Sequence, residues 1–256
     1  MNFEQQTKSQ QLNQQSQQSK TQCGGQQAQQ TNSTGETAEP AAKSTELARA
    51  LRLYAVTDNE CLQGRTLPEC VEEVIAGGAT MIQYRNKHAN DDPAFAFMQA
   101  SAIRLLCSAN KVPFIVNDDI ALAKRVEADG VHVGQGDMSC EQARKKLGQD
   151  AIIGVSAQTV KQALAAQKAG ADYLGVGAMI TTSTKPDAEI VSMDTLSEIV
   201  QAVDIPVVAI GGINAQNVSQ FAGSGIAGVA VVSAVFGASV PKDATQELAN
   251  KVQTIC

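Results

Sequence analysis

Eight short β-rich runs recur along residues 51–232, and segments with helical periodicity lie between them. This alternation is typical of parallel strands joined by crossover helices. Eight successive units favour a closed (β/α)8 barrel, the TIM-barrel architecture, over an open doubly wound sheet. The predicted strands cover residues 51–56, 80–84, 113–116, 130–133, 151–155, 173–176, 206–210 and 228–232. Helical period is clearest in residues 67–75, 94–106, 120–126, 160–168 and 196–203, and we expect left-handed caps at Gly77, Gly170 and Gly223.

The first residues of the chain have a different composition. Thirteen glutamines fall within residues 1–30, and the stretch to about Lys43 adds Ser, Thr, Gly and Pro with almost no aliphatic side chains. Such a segment cannot bury enough apolar surface to form a core. We therefore predict a low-complexity disordered tail over residues 1–44 and a barrel domain over residues 45–256. A dispensable extension is the preferred interpretation of the tail, and a partner-binding segment is the alternative.

The overall composition excludes several function classes. A net charge of −6 and a pI near 5.0 argue against broad nucleic-acid binding, which needs a basic stripe. No apolar run approaches the roughly 20 residues of a membrane helix. Six cysteines form no C-x-x-C pair, and no start-proximal signal sequence is evident, so reduced thiols and a cytoplasmic location are expected.

Polar clusters follow several predicted strands, where barrel enzymes place their active sites. At the end of the second strand, the two-residue period puts Gln83, Arg85 and Lys87 on one face. Two cations that project together from a covered strand favour an anionic ligand such as a phosphate or diphosphate. A solvated strand end is the simpler alternative.

Carboxylates follow the third and fourth strands, as Asp118 and Asp119 and as Asp137. Few carboxylates with room for water and phosphate oxygens suit Mg²⁺ better than zinc. Asp118 and Asp137 are the predicted metal ligands, whereas Asp119 could equally be the N-cap of the next helix.

The later strands end in groups that suit a phosphate. Thr181-Thr182-Ser183-Thr184-Lys185 follows strand 6, Gly211-Gly212 follows strand 7, and Ser233 follows Val232 at strand 8. Loops after the last two strands often bind phosphate in such barrels.

Of the two histidines, His88 is expected in an exposed loop, and His132 is expected to line the barrel with its hydrogen bonds satisfied.

Six motifs taken in order resemble the thiamine-phosphate synthase family, and the resemblance covers residues 51–235. The motifs are Tyr54-Ala55-Val56-Thr57-Asp58, Gln83-x-Arg85-x-Lys87, Asn117-Asp118-Asp119, His132-Val133-Gly134-Gln135-x-Asp137, Gly154-Val155-Ser156 and Thr182-Ser183-Thr184-Lys185. The resemblance implies a Mg²⁺-assisted condensation of 4-amino-2-methyl-5-(diphosphooxymethyl)pyrimidine with 4-methyl-5-(2-phosphooxyethyl)thiazole, which yields thiamine phosphate and diphosphate. The identity of both rings comes from the resemblance alone.

The resemblance also implies a role for individual residues. It puts the pyrimidine diphosphate on Gln83, Tyr84, Arg85, Asn86, Lys87, Asn117, Ser156 and Lys185. It puts Mg²⁺ on Asp118 and Asp137, and the thiazole phosphate on Thr182, Ser183, Thr184, Gly212, Val232 and Ser233. Arg85, Lys185 and Ser156 are the expected catalytic residues, without a protein nucleophile or general base.

The sequence departs from the family pattern at two places. Both prolines of the usual Gly-Pro-x-Phe-Pro-Thr run are missing after Gly177, and Gln158 replaces the usual histidine after Ser-Ala. Two alternatives remain open: a thiazole tautomerase of the same barrel, whose acid/base histidine would fall at Gln158, and a non-catalytic barrel that binds thiamine phosphate. The expected partners are the two small molecules, with neither nucleic acid nor membrane, and a homo-oligomer is compatible with the sequence.

Overall fold

The computed structural model describes residues 38–181 and 189–256, which form a closed parallel barrel with strands in the order β1 to β8. Each strand pairs with the next along the chain, and β8 pairs with β1. The predicted barrel is therefore confirmed. The strands are β1 Leu53–Val56, β2 Met81–Tyr84, β3 Phe114–Asn117, β4 Gly130–Val133, β5 Ile152–Ala157, β6 Tyr173–Val176, β7 Val207–Ile210 and β8 Gly228–Val231.

Helices lie between the strands and at both ends of the described chain. Several begin at a polar side chain that accepts a hydrogen bond from the first turn, for example Ser139, Thr159 and Ser192. The helices are α1 Ala38–Ala50, α2 Leu67–Ala76, α3 Pro93–Asn110, α4 Ile120–Arg125, α5 Cys140–Leu147, α6 Val160–Lys168, α7 Met193–Ala202, α8 Ser233–Phe236 and α9 Pro241–Val252. None of the helices in the described ranges is long and apolar enough to cross a membrane.

The strands separate two hydrophobic layers. Side chains such as Tyr54, Met81 and Tyr173 form one buried cluster, and their strand neighbours, such as Leu53 and Ile82, belong to the larger cluster that includes the helices. Because both faces of each strand are covered, the strands appear in the sequence as continuous apolar runs. Polar side chains are concentrated in the carboxyl-terminal half of the strands, as at Gln83, Asn117 and His132, and the site lies at this end.

One predicted helix cap is wrong. Gly77 has a φ of −81°, and the left-handed residue is Gly78, with a φ of 104°. A Cβ on Gly77 would collide with the backbone oxygen of Lys242 and with Thr245 in α9. Glycine at position 77 thus permits close helix packing. Gly170 and Gly223 do have positive φ angles, of 89° and 76°.

Helix α1 begins at Ala38, inside the segment that the sequence assigns to the tail. Leu47 and Ala50 pack against the buried cluster that contains Leu51. The rest of the predicted tail, residues 1–37, lies outside the described residues, so the predicted disorder stays a prediction.

Candidate active site

A cavity of about 810 Å³ opens among the carboxyl ends of the strands. Its lining includes seven of the residues that the sequence proposes for substrate binding, from five of the strands or the loops that follow them. They are Gln83, Arg85, Asn117, Ser156, Gly212, Val232 and Ser233. The topology therefore brings together side chains that are distant in the sequence, as expected for the active-site end of a parallel barrel.

Arg85 lies just past the end of β2 and is fixed through its backbone. Its amide donates to Thr57 Oγ1 over 2.8 Å, and Thr57 Oγ1 donates back to the Arg85 carbonyl oxygen over 3.1 Å. The Arg85 guanidinium lies 3.9 Å from the buried carboxylate of Asp58. This support holds a cation at the cavity wall.

The other members of the 83–87 run do not all face the cavity. Lys87 is absent from the lining, and its Nζ lies 2.8 Å from Glu60 Oε2 and 3.3 Å from Asp58 Oδ2. Hydrogen bonding to Glu60, and then to Asp58, raises the pKa of Lys87. The expected shared face fails at Lys87 because β2 ends at Tyr84, so the strand period does not extend that far.

Tyr84 and Asn86 point into a different environment from Gln83. The Tyr84 hydroxyl donates to Gln99 Oε1 over 3.1 Å and accepts from Asn86 Nδ2 over 3.2 Å. Tyr84 belongs to the hydrophobic layer that includes the helices. These two side chains support the end of β2 and do not line the cavity.

Asp118 and Asp137 form an interacting pair of carboxyl groups beside the cavity. Asp118 has a left-handed φ of 59°, which Asp tolerates better than most residues, and its amide donates to the carbonyl oxygen of His132 over 2.9 Å. Asp137 Oδ2 accepts from the amide of Gly134 over 2.9 Å. Burial, and then the hydrogen bond and charge of Asp137, raises the pKa of Asp118 to about 6.

A metal ion at this pair would be held by carboxylate oxygens alone. Across residues 38–181 and 189–256 there is no group of three or more His, Cys, Asp or Glu side chains that could hold a metal ion by itself. Two adjacent carboxylates without His or Cys suit Mg²⁺, which takes one or two carboxylates and completes its shell with water and phosphate oxygens. Asp119 is not part of the pair, because it caps α4 by accepting from the Leu122 amide over 2.8 Å.

The remaining predicted binding residues fall in two groups. Gly211 and Gly212 follow β7 with φ angles of 101° and 70°, and Ser233 begins α8 after Val232. Backbone amides in such a loop and helix start can approach a phosphate closely. The second group, Thr182, Ser183, Thr184 and Lys185, lies outside the described residues.

The sequence missed several residues of the lining, among them Tyr54, Gln135 and Asn214. Tyr54 lies within an apolar strand, so only its hydroxyl group distinguishes it from a core residue.

His132 has partners at both ring nitrogens, Tyr173 Oη and Ser156 Oγ, each at 3.0 Å, which confirms a satisfied barrel-lining imidazole. The His88 side chain is 66% exposed, as predicted.

Comparison with known proteins finds relatives along the whole barrel. The family model described as thiamine monophosphate synthase matches residues 53–235. Thiamine-phosphate synthase of Ruminiclostridium cellulolyticum is 48% identical over 196 residues, which are 77% of this chain and 92% of that protein. The protein of the same name from Clostridium tetani is 45% identical over 77% of this chain and 93% of its own length. A solved structure, thiamine phosphate pyrophosphorylase from Pyrococcus furiosus, is 39% identical with a TM-score of 0.75 and covers 82% of this chain and 98% of that one.

Proposed function

The chain belongs to the thiamine monophosphate synthase family, and we propose on this basis that it is the enzyme that makes thiamine phosphate. The substrates would be 4-amino-2-methyl-5-(diphosphooxymethyl)pyrimidine and 4-methyl-5-(2-phosphooxyethyl)thiazole. The bond between the pyrimidine methylene carbon and the diphosphate oxygen breaks, and the thiazole nitrogen forms a new bond to that carbon. The diphosphate departs with the electron pair of the broken bond.

One observation carries the proposal: a cation and a carboxylate pair follow consecutive strands at one cavity. Arg85 lines the cavity after β2, while Asp118 and Asp137 follow β3 and β4 beside it. A departing diphosphate gains negative charge, and preorganised positive charge stabilises that change most strongly in the transition state. The carboxylate pair could bind a divalent cation at the same end of the barrel.

For the pyrimidine diphosphate we assign Gln83, Arg85, Asn117 and Ser156 from the lining, and Lys185 from the family resemblance. Lys87 would join them only by exchanging Glu60 for a phosphate oxygen, since the two are ion-paired at 2.8 Å. Tyr84 and Asn86 would act indirectly, by holding the strand end beside Arg85. For the thiazole phosphate we assign Thr182, Ser183, Thr184, Gly212, Val232 and Ser233.

Asp118 and Asp137 would hold Mg²⁺, whose charge, when bound, offsets the charge of the diphosphate. The chain's own residues do the rest. Arg85 binds the departing group, Ser156 and Gln83 contact the ring, and the cavity walls restrict the access of water to the reacting carbon. No side chain has to remove a proton in this reaction, which agrees with the satisfied hydrogen bonds of His132.

The direct test is to incubate the purified chain with both substrates and Mg²⁺ and to measure thiamine phosphate by fluorescence after oxidation. Formation of the product with release of one diphosphate is the expected result. Binding of thiamine phosphate without turnover would favour the non-catalytic alternative. Isomerisation of the thiazole carboxylate would favour the tautomerase, although Gln158, which lines the cavity, has no acid/base group. The cytoplasmic location and the oligomeric state remain predictions.

A further inference from the structure

Five side chains from five strands form a continuous line of hydrogen bonds at the wall of the cavity, which we name the relay. Gln83 Nε2 donates to Tyr54 Oη over 2.7 Å, and Tyr54 Oη lies 2.8 Å from Tyr173 Oη. Tyr173 Oη lies 3.0 Å from His132 Nδ1, and His132 Nε2 lies 3.0 Å from Ser156 Oγ. Tyr173 is fully buried and does not line the cavity, whereas the other four members of the relay do.

The donor and acceptor chemistry of these groups determines which group donates each hydrogen bond of the relay. An amide nitrogen can only donate, so Tyr54 accepts from Gln83 and gives its own proton to Tyr173. Tyr173 then has its proton available for His132 Nδ1. Burial raises the pKa of both tyrosines, so each keeps the proton that it must donate.

This order of donors and acceptors determines which ring nitrogen of His132 carries the proton. If Nδ1 of His132 accepts from Tyr173, a neutral ring carries its single proton on Nε2. That proton is donated to Ser156 Oγ, which leaves the serine proton available to a group in the cavity. At the other end, Gln83 has its Nε2 engaged with Tyr54, and its Oε1 is the acceptor that it can offer.

Two glycines leave the space that the relay occupies. A Cβ on Gly154 would overlap the ring of Tyr173 and lie 2.5 Å from His132 Nδ1. A Cβ on Gly175 would lie 3.0 Å from His132 Cε1. Because Gly154 pairs with both His132 and Tyr173 across the sheet, the strands themselves bring the imidazole and the phenol together. The position of the imidazole is therefore imposed by the barrel.

We propose that the relay fixes His132 as the Nε2–H tautomer and thereby makes Ser156 a hydrogen-bond donor and Gln83 an acceptor toward the substrate ring. This pattern fits a heteroaromatic ring with an exocyclic amino group beside a ring nitrogen, as in an aminopyrimidine. The inference rests on the proposed function for the identity of the ring. Tyr173, which does not line the cavity, is a positioning residue, and Tyr54 and His132 transmit its effect to Gln83 and Ser156.

If each hydrogen bond of the relay were donated in the opposite sense, His132 would be the other tautomer. If the Gln83 amide were turned so that its oxygen accepted from Tyr54, each hydroxyl would donate the other way. His132 would then carry its proton on Nδ1, and Ser156 would donate to Nε2 and present only an acceptor to the cavity. The tautomer of one imidazole therefore distinguishes the two directions.

The tautomer is measured on the full chain labelled with ¹⁵N-histidine, without substrate. The chain has two histidines, so His88→Gln leaves the signals of His132 alone. We expect a protonated Nε2 and an unprotonated Nδ1 near neutral pH. A protonated Nδ1, with or without a proton on Nε2, overturns the proposal. This result is independent of turnover, so an inactive protein with the Nε2–H tautomer would contradict the proposed function and leave the direction of the relay intact.

Kinetics test the effect on the ring. Tyr173→Phe removes the central hydroxyl, and we expect KM for the pyrimidine diphosphate to rise about tenfold, the worth of one well-placed hydrogen bond, while KM for the thiazole phosphate stays unchanged. Thr245→Val is the matched control, because it also removes a buried hydroxyl, one that donates to Pro241 O over 2.7 Å in α9. The control should lose stability without a change in either KM. A Tyr173→Phe enzyme with the wild-type KM for the pyrimidine would overturn the proposed role. If that variant does not fold, the tautomer measurement still tests the proposal, because it uses the chain with Tyr173 intact.

Discussion

The carboxyl group of Asp118 lies near enough to that of Asp137 for Asp137 to raise its pKa, although the two residues follow different strands of the barrel. Their backbones meet because β3 and β4 are parallel neighbours, with Asn117 in register with His132. Two neighbouring carboxylates repel each other once both are ionised, and the repulsion is relieved by a proton or by a cation. We therefore expect the stability of the folded barrel to depend both on pH and on whether a cation is bound at this pair.

The first prediction concerns the metal. Chelation with excess EDTA should stop turnover, and added Mg²⁺ should restore it. Asp118→Asn and Asp137→Asn should each lower the rate on the order of 10²-fold or more, the scale of losing one preorganised electrostatic stabiliser, with the barrel still folded. Steady-state rates and circular dichroism of the variants test both statements.

Asp119→Asn is the matched control for these variants. Asp119 adjoins Asp118 but accepts from the Leu122 amide as the N-cap of α4, and Asn caps helices about as well as Asp. It should keep the wild-type rate and Mg²⁺ dependence. Full turnover in EDTA, or an equal loss in Asp119→Asn, would contradict the metal assignment.

The second prediction concerns pH in the metal-free protein. Since the folded pKa of Asp118 is raised to about 6 from an ordinary value of 3.8, its contribution to stability is fully present below pH 4 and is lost as pH rises through 6. Asn resembles the protonated acid, so Asp118→Asn should be more stable than the wild type at pH 8 in EDTA. Solvent screens this partly exposed side chain, so we expect a gain on the order of 1 kcal/mol.

Urea unfolding at pH 4 and at pH 8, in EDTA, measures this difference. The wild type and Asp118→Asn should agree at pH 4 and diverge at pH 8. Curves that stay parallel across the range would show that Asp118 titrates normally in the folded protein.

The third prediction concerns Arg85. Arg85→Ala should lower the rate by roughly 10²- to 10³-fold and change the melting temperature little, because in the proposed reaction the guanidinium stabilises the departing diphosphate, while the backbone bonds of residue 85 to Thr57 remain. Arg104→Ala is the control, since Arg104 also pairs with a carboxylate, Asp129 at 3.2 Å, and takes no part in the cavity. It should keep the wild-type rate. Equal losses in the two variants would remove the assignment of Arg85 to the leaving group.

The fold could be predicted closely from the sequence. Each predicted strand lies within two residues of the observed one, and β4 and β6 agree at both ends. Strands covered on both faces appear as apolar runs bounded by polar residues, and this pattern needs no knowledge of tertiary contacts. Gly77 shows the limit, because the reason for that glycine is a close contact with Lys242, which lies in the last helix.

The site was less predictable, for physical reasons. The strand period relates Gln83 to Arg85 but ends with the strand, so it could not anticipate that Lys87 turns toward Glu60. The meeting of Tyr54 and Tyr173 depends on side chains that cross the barrel interior. Such a contact follows from packing among strands that are distant in the sequence, and nothing in either local sequence distinguishes it.

The last prediction concerns the N-terminal end of the chain. Deleting residues 1–37 should leave the melting temperature and the rate nearly unchanged, because that segment is rich in glutamine and nearly lacks aliphatic side chains. Deletion through Ala50 should destabilise the barrel, since Leu47 and Ala50 of α1 pack against its buried cluster. Within the full chain, Leu47→Ala should cost about 1 to 2 kcal/mol, as Leu47 is half-buried. Leu105→Ala, at a side chain that is 72% exposed, should cost almost nothing. Chemical denaturation of the four proteins tests the set, and a large loss on removing residues 1–37 alone would mean that the Gln-rich segment contributes to the folded barrel.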